Sequence, residues 1–246
     1  MSIILNEEER NKMSLLSNLN SANMDVEATD NLGGFTLFDS DIYLATVKTA
    51  YAKPANSGAL GIGLVLDING KEYRETMYVT NKSGENFYKT KDGKKAGLPG
   101  FNLIDALCVV ATDKPLCQQS EGTKKIALYN AELKKEVPTD VTELSDLAGK
   151  QVYVAILKKT ENKRVFNTNT NSYDLSEETR DVNAIDGFMH NPTKLTKFEA
   201  EHGKTEPEFF NKWLEKNKGK VRDQTKKVIG SPNSVTKPVS SLFGNK

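Results

Sequence analysis

Four side chains of this sequence combine with its carboxylates as potential metal ligands or nucleophiles: Cys108, Cys117, His190 and His202. Structural zinc sites place cysteines about two to four residues apart and histidines about three to five apart, because a tight turn must bring both to one ion. Here the spacings are C-x8-C and H-x11-H. They fit two ordinary thiols and two surface imidazoles, with Cys108, between Leu107 and Val109-Val110, as a small core residue. Neither histidine stands near a nucleophile motif such as G-x-S-x-G. Gly58-Ala59-Leu60-Gly61-Ile62-Gly63 looks like a broken phosphate loop, but it lacks the Gly-Lys-Ser/Thr ending and runs into a strand pattern. Small residues that let a strand bend explain it better. The carboxylate pairs Glu72/Glu75, Asp140/Glu143 and Glu177/Glu178 come with no Asp-x-Asp or His-Glu-x-x-His pattern. A divalent-metal nuclease with carboxylates scattered along the chain is the enzymatic alternative; no cofactor is implied.

Rings and cations offer a different chemistry. Unpaired bases stack on flat aromatic faces at about 1–3 kcal/mol each. Phosphates need lysine or arginine spaced along a groove, each contact releasing counterions. Tyr73, Arg74, Tyr78, Phe87, Tyr88, Lys89 and Lys91 supply both within twenty residues, and Lys94 and Lys95 follow. Residues 71–95 hold seven bases and four acids. Tyr43, Tyr51 and Lys53 add to this set from the preceding strand. A second set, Tyr153, Lys158, Lys159, Lys163, Arg164, Phe166 and Tyr173, lies on a late hairpin. Any one of these tyrosines would also fit a core. The Phe87-Tyr88 pair does not, because two adjacent rings in a lysine-rich loop cannot both turn inward. The stripe Phe209, Phe210, Trp213, Leu214 reads as helix packing.

The chain has 246 residues, and its 34 Lys+Arg nearly cancel 33 Asp+Glu. Hydrophobic content is 37% and mean hydropathy −0.55, which describes a modest core with long polar connections. No apolar run approaches the roughly 18 residues of a membrane helix. The start MSIILNEEER is not a secretory signal, and two cysteines make no disulfide framework. A reducing cytoplasm is the expected setting. Residues 1–40 read as an acidic, partly disordered arm with one helical stretch, 41–219 as the folded domain, and 220–246 as a flexible basic tail. From Lys204 onward there are ten bases and four acids.

Within the domain, Ile42–Tyr51, Ala59–Ile68 and Glu72–Thr80 read as strands, the last two joined by Asn69-Gly70, a strong hairpin signal. Asp92-Gly93 marks a second tight turn. Phe101–Ala111 reads as a helix started by Leu98-Pro99-Gly100. Lys124–Tyr129 and Leu133–Val137 read as short strands, Val141–Leu147 as a short helix or turn, and Gln151–Lys158 as a strongly apolar strand. A polar hairpin around Asn167–Asn171 follows. Thr179–Met189 reads as a strand or short helix, and Pro207–Lys218 as a helix ended by Gly219. Three strands, a helix, then further strands is the element order of an OB-fold, a five-stranded Greek-key barrel. The expected fold is therefore mainly β, an OB-fold-like barrel with long loops and a C-terminal helix.

Four stretches add a resemblance. Gly97-Leu98-Pro99-Gly100-Phe101-Asn102, Glu178-Thr179-Arg180, the helix from Pro207-Glu208-Phe209-Phe210 to Lys218-Gly219-Lys220, and the closing Ser241-Leu242-Phe243-Gly244 resemble single-stranded DNA-binding proteins of tailed bacteriophages. The resemblance runs over most of the chain from about residue 35. It implies an OB-fold replication and recombination protein, not an enzyme, that coats single strands without sequence preference, in the cytoplasm of an infected host. One departure stands out. Many single-strand binders end in an acidic tail that recruits partners and competes with DNA, whereas this tail is basic. Its Leu242-Phe243 pair is an expected anchor for a replication, recombination or transcription protein. The remaining alternative is a phage accessory protein that acts by protein contact alone.

Overall fold

The computed structural model describes residues 37–130 and 132–228. Its first three strands are β1 (Asp41–Pro54), β2 (Leu60–Ile68) and β3 (Lys71–Tyr78), an antiparallel meander. The β2 run Leu-Gly-Ile-Gly-Leu-Val-Leu is apolar on both faces because both are covered: Gly61 to Leu66 are all buried. Asn69 (φ 53°) and Gly70 (φ 77°) make the β2–β3 turn in the left-handed region, where those residue types are tolerated best. Strand β1 is shared. Its first half, Asp41–Thr46, pairs with β8 (Gln151–Asn167), and its second half, from Thr46, pairs with β2 across a register shift at Lys48.

β8 turns back into β9 (Ser172–His190), and the two make a hairpin far longer than the segments expected from sequence. Between β3 and β8 lie a small ladder of β4 (Phe87–Lys89) with β5 (Lys95–Gly97), helix α1 (Pro99–Thr112), and a second long hairpin of β6 (Glu121–Asn130) with β7 (Lys135–Leu144). Residues 141–144, expected as helix or turn, extend β7 because every one has a ladder partner on β6; only Ser145–Leu147 form a short 3-10 turn. The β6–β7 hairpin joins the sheet through one pairing, Tyr51 with Glu143. Helices α2 (Lys197–Glu201) and α3 (Glu208–Asn217) follow. β10 (Val221–Asp223) then runs parallel to β8, so the order across the main sheet is β10-β8-β1-β2-β3.

The architecture is thus mainly β, an open and largely antiparallel sheet. Helix α1 lays Ile104, Leu107 and Cys108 onto the inner face, against Leu64, Leu66 and Ile68 of β2, Val152, Val154 and Ile156 of β8, and Phe188 of β9. Each such side chain contributes about 1.5–3 kcal/mol by leaving water. The opposite face of β8–β9 carries a second cluster, Ala155, Leu157 and Met189, closed by Trp213 of α3. The Trp213 indole N–H donates to Asp186 at 2.7 Å.

Between β3 and β9, where a closed barrel would need a ladder, one side chain makes the link. Glu75 of β3 accepts from the Tyr73 hydroxyl (2.6 Å) and from the Ile185 backbone N–H of β9 (3.0 Å). Burial holds its carboxyl above the usual range, against the pull of those two hydrogen bonds.

Two expected boundaries shift. The first residues of the sheet domain fall inside the expected arm: Phe38 exchanges two hydrogen bonds with the Asn183 side chain, at 2.8 and 2.7 Å, and Ser40 is buried. The expected tail from 220 is paired at its start, where the Gln224 N–H donates to Thr160 and the Lys226 N–H to Asn162. The helical stretch expected within residues 1–36 lies outside the described residues.

Candidate nucleic-acid interface

The outer face of the meander is built in three cross-strand rows. Lys53, Gly61 and Tyr78 form the first, Tyr51, Gly63 and Thr76 the second, and Thr49, Val65 and Arg74 the third. Period-2 alternation puts all nine on one side of the sheet. Gly63 is required there: a Cβ would stand 2.4 Å from the Tyr51 ring, so the ring lies flat against bare backbone. Tyr78 is 52% exposed beside Gly61, and the Lys53 ammonium reaches the Thr76 hydroxyl at 3.5 Å.

The β6–β7 hairpin stands over the second and third rows. Its β6 side chains Lys124, Ile126 and Leu128 face Tyr51, Val65 and Arg74 across a cleft of about 230 Å³. The cations lining this cleft are already partnered. Glu72 accepts from Lys48 (2.9 Å) and Arg74 (2.5 Å), and those two hydrogen bonds hold its carboxyl below the usual range. Glu143 accepts from Lys124 and from the Thr49 hydroxyl, both at 2.7 Å. Burial would raise its carboxyl, but the two hydrogen bonds outweigh burial and lower it. The cleft is a basic surface with its own counterions in place.

The expected loop 87–95 is instead the β4–β5 ladder. Pairing Phe87 with Gly97 and Tyr88 with Ala96 sends the two rings to opposite sides. Phe87 is half-buried with the Lys95 ammonium 4.2 Å from its ring centre. Tyr88 is 49% exposed, and Lys89, Lys91 and Lys94 are exposed around it.

The late set divides. Arg164, Phe166, Tyr173 and Leu175 share one face of the β8–β9 arm, where the Phe166 and Tyr173 rings meet edge to face at 5.2 Å. Lys163 pairs with Glu178 at 2.9 Å, and Lys158 lies 3.7 Å from Asp39. Tyr153 belongs elsewhere. Its ring packs edge-on against Phe210 of α3 with the Lys194 ammonium near both, so it is part of the helix-to-sheet contact.

Two further rings expected at the surface are in the interior. Tyr73 is 7% exposed on the inner face, its hydroxyl on Glu75. Tyr51 is also 7% exposed, because the β6–β7 hairpin covers it. Tyr43 is half-buried beneath Phe38, with its hydroxyl on the Asp39 carbonyl. Leu242 and Phe243 lie outside the described residues. Sequence reading missed Lys124, Ile126 and Leu128, which the alternation of β6 could have suggested, and missed that Glu72 lines the cleft and that Glu143 holds its Lys124. Two of the carboxylate pairs are divided: Glu72 faces the cleft while Glu75 faces β9, and Asp140 reaches Lys125 while Glu143 holds Lys124. The Cys108 thiol is pushed up to about 12 by burial, then by nearby Asp105, and is inert; Cys117 is exposed. Among the described residues no helix is long and apolar enough to cross a membrane. No family model matches the chain, and no curated protein matches it.

Proposed function

We propose that this protein binds single-stranded DNA without sequence preference, coating and protecting unpaired strands during phage replication, recombination and repair. One observation carries the reading: a sheet face that presents an exposed ring (Tyr78) and an exposed lysine (Lys53) leads into a narrow cleft that Lys48, Arg74 and Lys124 help to line. At about 230 Å³ the cleft suits one flat group rather than a whole ligand; drug-sized pockets run to about 300–1,000 Å³. A strand crossing this face would stack a base on Tyr78, reach Tyr88 and the lysines of the β4–β5 ladder, and exchange its phosphates for Glu72 and Glu143 as partners of Arg74, Lys48 and Lys124. Arg164 and Phe166 on the arm form an outlying patch of the same chemistry.

The finer fold belongs to the same reading. β1 shared between β2 and β8, a helix between β3 and β8, and the Glu75 link toward β9 support an OB-fold whose closing seam is a side-chain contact rather than a ladder. The strand 2–3 face of that fold is where oligonucleotides are commonly held.

The test is a salt-series titration of single-stranded and duplex oligonucleotides. Tight binding to the single strand alone, with a log–log salt slope near −3 to −4, corresponds to about four to six phosphate contacts at about −0.7 each. Equal affinity for duplex, or no binding at low salt, overturns the reading.

A further inference from the structure

A larger groove than the cleft takes none of its lining from β1, β2 or β3. It has a volume of about 720 Å³ between α1, β9, α2 and α3. Phe188 of β9 lies at its base, Phe101, Leu103 and Ala106 of α1 form one wall, and Phe198 and Phe209 of α2 and α3 form the other. Phe198 is 61% exposed at its edge, stacked on His202 at 4.0 Å between ring centres. An apolar groove of this size, open to water, is unfavourable unless something covers it.

We propose that the groove receives this chain's own C-terminal segment Ser240–Gly244, with Leu242 and Phe243 seated among the phenylalanines. Three observations select this occupant. First, reach. The chain is tied at Gln224 and Lys226 to Thr160 and Asn162 of β8. Thr160 pairs with Asp181 of β9, five residues from the groove residue Asp186, which is about 17 Å along a strand. Leu242 is fourteen residues beyond Val228, a span of up to about 46 Å when extended, so the segment arrives with slack. Second, charge. After Asp223 the chain carries Lys226, Lys227, Lys237 and Lys246 and no acid. Five carboxylates line the groove, Asp105, Asp186, Glu199, Glu201 and Glu208, against three lysines. Third, shape. From Ile229 onward Leu242-Phe243 is the only adjacent pair of large apolar side chains in the sequence, and four phenylalanines in the groove's lining can accept another ring at an edge or offset face. A tether of this length holds the segment at an effective concentration near the millimolar range, so weak docking suffices.

The inference is independent of the DNA reading, because none of its residues lies on the meander's outer face. The experiment is amide NMR of the full chain, comparing the native protein with the double variant Leu242→Ala/Phe243→Ala. Expected are resonance shifts at Ala106, Gly187, Phe198 and Phe209. Differences confined to residues 238–246 overturn the proposal. Ala106→Trp, which fills the groove without touching the tail, should move the Leu242 and Phe243 resonances toward free-peptide positions; unchanged tail resonances also overturn it. Twentyfold dilution of the native protein should leave the groove resonances in place. Their loss on dilution would assign the groove to the tail of a second copy and overturn docking within one chain.

Discussion

The meander's outer face and the β8–β9 arm contain the same kinds of residue, tyrosine or phenylalanine beside lysine and arginine, and differ in what stands behind them. On the meander, each ring rests on a sheet whose other side is the main core: Tyr78 beside Gly61, Tyr51 on Gly63, and Leu64 and Ile62 beneath. On the arm, Phe166 and Tyr173 rest on each other at the end of a two-stranded ribbon, with Arg164 exposed alongside. Composition is equal, but preorganisation is not. A base that stacks on the meander meets a surface already fixed, whereas one that stacks on the arm must also order the ribbon.

That contrast can be broken first by removing one ring from each region. Tyr78→Ala should weaken single-strand binding by about 1–3 kcal/mol, and Tyr173→Ala by clearly less, under about 0.5 kcal/mol, in the same fluorescence titration. Equal losses would mean that backing by the core is irrelevant. Stability should separate the two regions in the same direction. Gly63→Val drives a side chain into the Tyr51 ring and should cost about 1–3 kcal/mol in denaturant unfolding. Val165→Ala on the exposed arm should stay within about 0.5 kcal/mol. The smallest effect concerns the internal counterions. Glu143→Gln frees Lys124 and should tighten binding about two- to fivefold at low salt while steepening the salt slope by nearly one phosphate's worth.

The same carboxylates give a pH dependence. Glu72 and Glu143 sit below their unfolded values, so each adds stability above the unfolded carboxylate range and loses it as pH falls through the lower folded value. Over that acidic interval Lys48, Arg74 and Lys124 lose their internal partners. Affinity for DNA should therefore rise as stability falls, and a titration at stepped pH should show a smaller rise for Glu143→Gln.

Much of the frame was legible. Asn69-Gly70 placed the β2–β3 turn, Pro99 the start of α1, Gly219 the end of α3, and the alternation of β3 put Tyr73 and Tyr78 on opposite faces. What alternation cannot say is which face points inward, and so Tyr73 was grouped with the surface rings. Tyr153 was misplaced for a related reason: β8 is buried on both sides, by the main core and by α3, and such a strand has no polar face to mark the surface. The cleft itself was illegible because it depends on where a distant hairpin lands. A single pairing between Tyr51 and Glu143 brings β6 over β1, and no local pattern encodes that meeting. The ends of the late hairpin were read short because its polar outer half, Lys159 to Glu178, lacks the apolar alternation by which strands are recognised.

β10 has a mechanical consequence. Its three residues run parallel to β8, and the next hydrogen bonds, from Gln224 and Lys226, fasten the chain at the root of the arm. Tension applied to the chain just beyond Lys226 would load these few bonds in shear at the arm's base. Whatever pulls on the chain at that point therefore holds a short lever on the ribbon that carries Arg164 and Phe166.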